Sequence, residues 1–324
     1  MDDLPSRRRW SALLALALGA VAIGLTEFVP AGLLPQIAQD VLGSGTPHAV
    51  AHAGWMITAY ALGVVVGAPL IAALTARMPR KRLVLGLLVL FVLGTLASAG
   101  APTFGLVLVA RFLAGLPHGA YFGAAGLLAA SLMGPGNEGR GFAAVLSGLT
   151  AANVAGVPLI TLLGQRAGWR VAYLGIAAVF LLALLAVAAT VPGAPAAGGS
   201  PAAELRSLRR PQVWLVAATA AIGFGGFFAV DSYIAPVTTS VTGLPAGTVT
   251  WVLVAVGLGM TVGNALGGWL ADRNLRRVVL SGFAAMIVGI VFFGLAAGSP
   301  VGCSRARSCS APRACSSARP CRPG

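Results

Sequence analysis

Two stretches of this chain, 196 residues apart, spell nearly the same pattern. Leu62-Gly63-x-x-Val66-Gly67, then Leu74-x-x-Arg77-x-x-Arg80-Lys81, recurs as Leu258-Gly259-x-x-Val262-Gly263, then Leu270-x-x-Arg273-x-x-Arg276-Arg277. Seven of the eight positions are identical and the eighth exchanges Lys for Arg. Each copy runs from a glycine-rich apolar helix into a basic turn. An internal repeat of this length constrains the fold more than any local motif does, because the two halves must solve the same packing problem. It also sets a ruler: a second copy as long as the first would run well past Gly324.

The repeat lies in apolar surroundings. Of 324 residues, 57% are hydrophobic and 9% charged, against about 25% charged in a soluble domain. Nine apolar spans of about twenty residues can cross a ~30 Å hydrocarbon core: roughly 10–34, 50–76, 83–100, 103–130, 141–164, 170–191, 212–237, 247–271 and 278–298. The expected fold is therefore all-α and polytopic. The run that follows Arg7-Arg8-Arg9 is too long for a signal-peptide core and reads as the first membrane helix. The net charge of +14 does not point to nucleic acid, because its arginines and lysines sit in short runs between the spans. Alternate connections carry fourteen basic residues, among them Arg77, Arg80, Lys81, Arg140, Arg210 and Arg276. The opposite side has only Arg166 and Arg170, so a cytoplasmic N-terminus is expected.

Residues 192–211, rich in Pro, Gly and Ser, form the one linker and divide the chain. Residues 1–191 read as a six-helix half, and 212–300 as an incomplete second half of three helices. All four cysteines, Cys303, Cys309, Cys315 and Cys321, lie in a tail over 301–324 built only from Cys, Arg, Pro, Ser, Ala, Gly and Val. Its first part coincides with the place where a tenth helix is due. We expect an out-of-frame or aberrant segment in place of helices ten to twelve. The rival is a true disordered tail that binds metal through its cysteines.

Few polar residues sit at membrane depth, and each is a functional candidate because charge there is costly. Glu27 in helix one and Arg111 in helix four both fall roughly 10–12 Å from the same end, and Asp231 in helix seven lies at a similar level. An unpaired charge there costs several kcal/mol, so pairing among the three is expected. A carboxylate that alternates between a partnered and a protonated form is a natural proton carrier. Thr26, Thr58, Tyr60, His118, Tyr121 and Asn153 surround the charges and either line a cavity or hydrogen-bond between helices. His48 and His52 have a metal-like i,i+4 spacing but no third ligand, so neither metal nor cofactor is expected. Ser147 and His118 are too little for an intramembrane serine protease, and no enzyme is expected. Glycines at GxxxG spacing (Gly63/Gly67, Gly115/Gly119/Gly123, Gly259/Gly263/Gly267) let helix backbones approach. Gly156-Val157-Pro158 predicts a kink in helix five.

Together these residues resemble the major facilitator superfamily, and within it the twelve-helix drug:proton antiporters of the chloramphenicol-resistance and arabinose-efflux type. Thr26-Glu27-Phe28-Val29-Pro30-Ala31-Gly32 resembles the helix-one signature of that group. Ala72-x-Leu74-x-Ala76-Arg77-x-Pro79-Arg80-Lys81-Arg82 is similar to the superfamily's gating loop, and Gly268-Trp269-Leu270-Ala271-Asp272-Arg273-x-x-Arg276-Arg277 is more faithful to it. Arg111-x-x-x-Gly115-x-x-x-Gly119 resembles the helix-four motif, whose arginine is implicated in proton coupling. Gly148 through Gly156-Val157-Pro158 to Gly168-Trp169-Arg170 resembles the exporter motif of helix five. In the first copy Ala76 replaces the usual aspartate and Pro79 a glycine; Ile160 stands where relatives often have glycine.

The resemblance implies a major facilitator fold with about nine of twelve helices present. It implies proton-coupled efflux of a small molecule, a drug such as chloramphenicol or a sugar, by a monomer in the plasma membrane. Its partners would be the lipid bilayer, the substrate and protons. Glu27, Arg111 and Asp231 would couple protons; Arg77, Arg80, Lys81, Asp272, Arg273 and Arg276 would form the gating loops. The alternative is a truncated, non-transporting remnant of such an exporter.

Overall fold

The computed structural model describes residues 5–43, 48–134, 136–193 and 210–297; at a few positions of the last segment, Asp272 and Arg273 among them, it describes the backbone alone. The linker positions 194–209 and the tail 301–324 lie outside the described residues. Within them the chain forms helices α1 (Ser6–Leu42), α2 (Ala49–Thr75), α3 (Arg80–Gly100), α4 (Phe104–Met133), α5 (Glu138–Ala167), α6 (Trp169–Thr190) and α7 (Pro211–Val241). A final helical run, Gly247–Ala297, leaves helical geometry at Asn274 (φ −161°, ψ 89°) and so forms two helices, α8 before the break and α9 after it. Asn274 itself starts α9, its side-chain oxygen accepting from the Arg277 backbone N–H at 3.1 Å, as an N-cap residue does. Among the described residues the protein is thus nine helices, with no strand.

The helix ends follow from local chemistry. Positive-φ glycines stop α1 at Gly43 (φ 84°), α4 at Gly134 (φ 79°) and α5 at Gly168 (φ 95°), where other residues would be strained. Thr103 caps α4 by accepting from the Leu106 N–H. α1 runs about two turns beyond its expected end near residue 34, past Pro30 and Pro35. Its extra turns are held because Ile37 and Ala38 are buried, so tertiary packing overrides the proline signal. The expected disturbance in α5 is a π-helical turn, Ala152–Gly156. It directly precedes Pro158, whose missing N–H leaves the regular i→i−4 ladder incomplete.

α1 is the most buried span and threads the centre, packing on α5 and α6. α3 packs on α6 and α4, and α2 on α4. α8 joins this body by lying against the π turn of α5, and the end of α7 meets α1. The two repeats use their glycines differently. A Cβ at Gly63 would overlap the Phe112 carbonyl, and one at Gly67 the Leu116 carbonyl, so α2 and α4 touch backbone to backbone. In the second copy a Cβ at Gly259 or Gly263 meets nothing within 4 Å. The close approach expected of both copies is therefore found in the first.

Candidate functional site

The site is assembled around Arg111. Its side chain is 1% exposed, deep in α4, and its hydrogen bonds go to α1. Nη1 donates to the Thr26 hydroxyl at 2.8 Å and Nη2 to the Thr26 carbonyl at 3.0 Å. The sequence explains why that carbonyl accepts. In a regular helix it would receive the N–H of residue 30, but residue 30 is proline and has none. Pro30 vacates an acceptor within the membrane span, and Arg111 takes it. The guanidinium also lies over the Tyr60 ring of α2, 4.2 Å from its centroid, and 5.8 Å from that of Tyr173 in α6, distances at which a cation is attracted to an aromatic face.

Glu27, the next residue along α1, is half-buried and within coulombic reach of both Arg111 and Asp231. The expected ion pair between Glu27 and Arg111 is not formed: among the described residues the ion pair is Arg170–Asp40. Thr26 takes both terminal nitrogens of the arginine, its Nε has no hydrogen-bond partner, and the carboxylate stays outside an ion pair. Asp231, 5% exposed within α7, lines a cavity of about 10 Å³ with Phe28 and Asn153, room for no more than about one water. Phe28 stacks on Phe228 of α7 with centroids 5.8 Å apart and meets Phe227 edge-on at 6.5 Å. The structure thus brings Thr26, Glu27, Arg111, Tyr60, Asn153 and Asp231 around one level of the bundle.

His118 belongs to the same group through Tyr60: the phenol oxygen and Nδ1 share a hydrogen bond of 2.9 Å. Ser147 bonds the Ala144 carbonyl instead and has no link to that histidine. Tyr121 is elsewhere; fully buried, it donates to the Leu16 carbonyl at 2.7 Å and packs over Gly19, a helix-packing position. Thr58 is exposed on α2, and no contact ties it to the cluster. His48 adopts a left-handed conformation at the start of α2 (φ 56°) and His52 is exposed. Among the described residues no group of three His, Cys, Asp or Glu side chains is placed to hold a metal ion. Of the gating-loop residues, Lys81 caps α6 by donating to the Ala188 carbonyl at 2.9 Å. Arg77 and Arg276 are exposed, Arg80 is half-exposed, and the side chains of Asp272 and Arg273 lie outside the described residues.

Sequence reasoning missed two contributors. Tyr173 is one; a lone aromatic in an apolar helix carries no signal. The other is Asp40, whose Oδ2 accepts from Trp169 Nε1 at 2.9 Å and pairs with Arg170 Nη2 at 3.2 Å. Arg170 further donates to the Ala99 and Ala101 carbonyls, tying the ends of α1, α3 and α6 together. The Gly168-Trp169-Arg170 motif was a visible signal, but its partner lies 129 residues away.

Among the described residues, eight helical spans are long and apolar enough to cross a membrane, with an arginine and two carboxylates gathered between them, the architecture of a multi-pass membrane protein. The chain belongs to the Major Facilitator Superfamily, whose pattern matches residues 16–304. It is 39% identical over 280 residues to the inner membrane transport protein YdhP of Escherichia coli K12, covering 86% of this chain and 70% of that protein. To the putative transporter AraJ of the same organism it is 34% identical over 284 residues, covering 87% and 71%. To a chloramphenicol resistance protein of Streptomyces lividans it is 35% identical over 294 residues, covering 89% and 74%. The fold is that of a D-xylose-proton symporter (TM-score 0.61, 17% identity, 90% of this chain and 81% of that one). It is equally that of a bacterial homologue of the human lysosomal transporter Spinster in an inward-facing, occupied conformation (TM-score 0.67, 17% identity, 85% and 64%).

Proposed function

We propose that the protein is a proton-coupled exporter of small molecules, with Glu27 as the group that carries the proton. The observation that supports this reading most is the engagement of Arg111 by Thr26. It leaves a half-buried carboxylate without an ion-pair partner, next to an arginine and a second acid. A carboxylate so placed can take a proton from one side and surrender it when its surroundings change. Asp231 and Arg111 set the field around it, and Tyr60, His118 and Asn153 border the path of the substrate. The basic turns after α2 and α8 face the cytoplasm, as the positive-inside rule requires. Residues 1–191 and 212–300 act as the two bodies that rock about the site. A drug as substrate is consistent with the chloramphenicol resistance protein among the relatives.

The test is transport by the purified full-length protein in proteoliposomes under an imposed pH gradient, with chloramphenicol and arabinose as probes. Wild type should move at least one probe against its gradient, and Glu27→Gln should insert normally yet lose gradient-driven movement. Undiminished export by Glu27→Gln overturns the role of Glu27. Absence of gradient-driven transport in wild type overturns the reading as a whole.

A further inference from the structure

We infer that the groove between α2 and α3 is a binding site for an anionic phospholipid, its tail lying along the apolar groove and its phosphate on Arg82. The groove exists because consecutive helices do not pack on one another. α2 packs on α4, and α3 packs on α6 and α4, so α2 and α3 contact each other less than either contacts α4. Between them lies a cavity of about 200 Å³. Ile71, Leu74 and Met78 form one wall, and Leu83 and Leu90 line the other. The walls face outward: Leu74 is 75% exposed and Leu90 46%. In a membrane-spanning helix such surface faces hydrocarbon.

Charge decides which lipid fits. Arg82 lines the groove at the end where the basic turn closes the hairpin, with Arg77 and Arg80 beside it in sequence. Among the described residues none of these three arginines forms an ion pair. The turn itself, Ala76-Arg77-Met78-Pro79, supplies no carboxylate. Lys81 points elsewhere, onto α6. An uncompensated arginine above an apolar slot matches a phosphate headgroup above an acyl chain. A zwitterionic choline headgroup brings its own cation into an already positive mouth.

Gly86 provides the control. It lines the groove, and a Cβ there meets nothing within 4 Å, so Gly86→Leu directs its side chain into the slot from a position with room for the first carbon. The experiment is native mass spectrometry of the full-length protein from mixed micelles containing equal phosphatidylglycerol and phosphatidylcholine. Wild type should retain phosphatidylglycerol preferentially. Arg82→Gln should lower that retention about fivefold, the factor one arginine contributes at an anionic lipid surface, and leave phosphatidylcholine unchanged. Gly86→Leu, monodisperse by size exclusion, should reduce retention of phosphatidylglycerol with every arginine in place. Equal retention of the two lipids by wild type, displacement of phosphatidylglycerol by millimolar inorganic phosphate, or insensitivity to both variants overturns the proposal.

Discussion

Arg111 holds Thr26 by both its hydroxyl and its carbonyl, 2.8 and 3.0 Å away, and so spends its hydrogen bonds one residue short of Glu27. The arrangement separates two demands on a buried cation. It must be satisfied, because a charge left bare in the interior costs several kcal/mol. It must also leave the neighbouring acid free to change its proton count. A direct Arg111–Glu27 pair would meet the first demand and defeat the second. Bonding through neutral groups of the adjacent residue keeps the positive field on Glu27 without a contact that must break.

Tyr60 is the lever on this arrangement. Its ring lies against the guanidinium and its hydroxyl is fixed by His118, so the two functions can be separated by substitution. Tyr60→Phe keeps the ring and loses a hydrogen bond worth about 0.5–1.5 kcal/mol. Tyr60→Leu also removes a cation–π contact worth up to about 2 kcal/mol when desolvated. We expect Tyr60→Phe to retain transport within about tenfold and Tyr60→Leu to fall clearly below it, measured as initial rates in proteoliposomes with insertion matched. Equal rates for the two would mean that the ring does not position Arg111.

Much of this was legible in the sequence, and the parts that were not share one cause. The nine helices and the disturbed α5 follow from composition, periodicity and the absent N–H of Pro158. Those are properties a residue carries with it. Which partner Arg111 chooses is different. Thr26 was visible as a cavity candidate, but its carbonyl becomes an acceptor only through Pro30, four residues away. Tyr121 and His118 looked alike as polar residues of α4, yet one is directed into helix packing and the other toward Tyr60. Rotation of a helix about its axis is set by its neighbours, and an all-round apolar helix does not encode it in amphipathic pattern. Asp40 lies beyond the expected end of helix one near residue 34, and its ties to Trp169 and Arg170 depend on chain crossing.

The glycine repeats give a contrast that sequence identity alone would not predict. Gly63 and Gly259 occupy equivalent positions, but a methyl at Gly63 runs into the Phe112 carbonyl, whereas one at Gly259 enters open space. Backbone cannot move aside as a side chain can, so overpacking should cost Gly63→Ala about 1–3 kcal/mol or more. Gly259→Ala should be neutral or slightly stabilising, since alanine is the better helix former by up to about 1 kcal/mol. Thermal unfolding in detergent, followed by intrinsic tryptophan fluorescence, compares the two. A larger loss at Gly259 than at Gly63 would contradict the packing described for α2 and α4.

Pro30 tests the logic of the site most directly, because its predicted effect on function runs opposite to its ordinary effect on structure. Proline inside a helix normally costs about 3 kcal/mol, so replacing it should help α1. Here Pro30→Ala restores an N–H that competes with Arg111 Nη2 for the Thr26 carbonyl. The guanidinium, whose Nε already has no hydrogen-bond partner, then loses a further acceptor in a buried setting, and Glu27 is the anion already within coulombic reach. The expected outcome is a protein as stable as wild type within about 1 kcal/mol, the gained helix bond offsetting the lost arginine bond. Its gradient-driven transport should nevertheless fall several-fold, as Arg111 turns toward the carboxylate it was held from. Thr26→Val separates the hydroxyl from the carbonyl: it removes one acceptor but not the vacancy made by Pro30, and should impair coupling less than Pro30→Ala. Unchanged transport in Pro30→Ala at matched insertion would show that the vacated carbonyl is incidental, and with it the division of labour between Thr26 and Glu27.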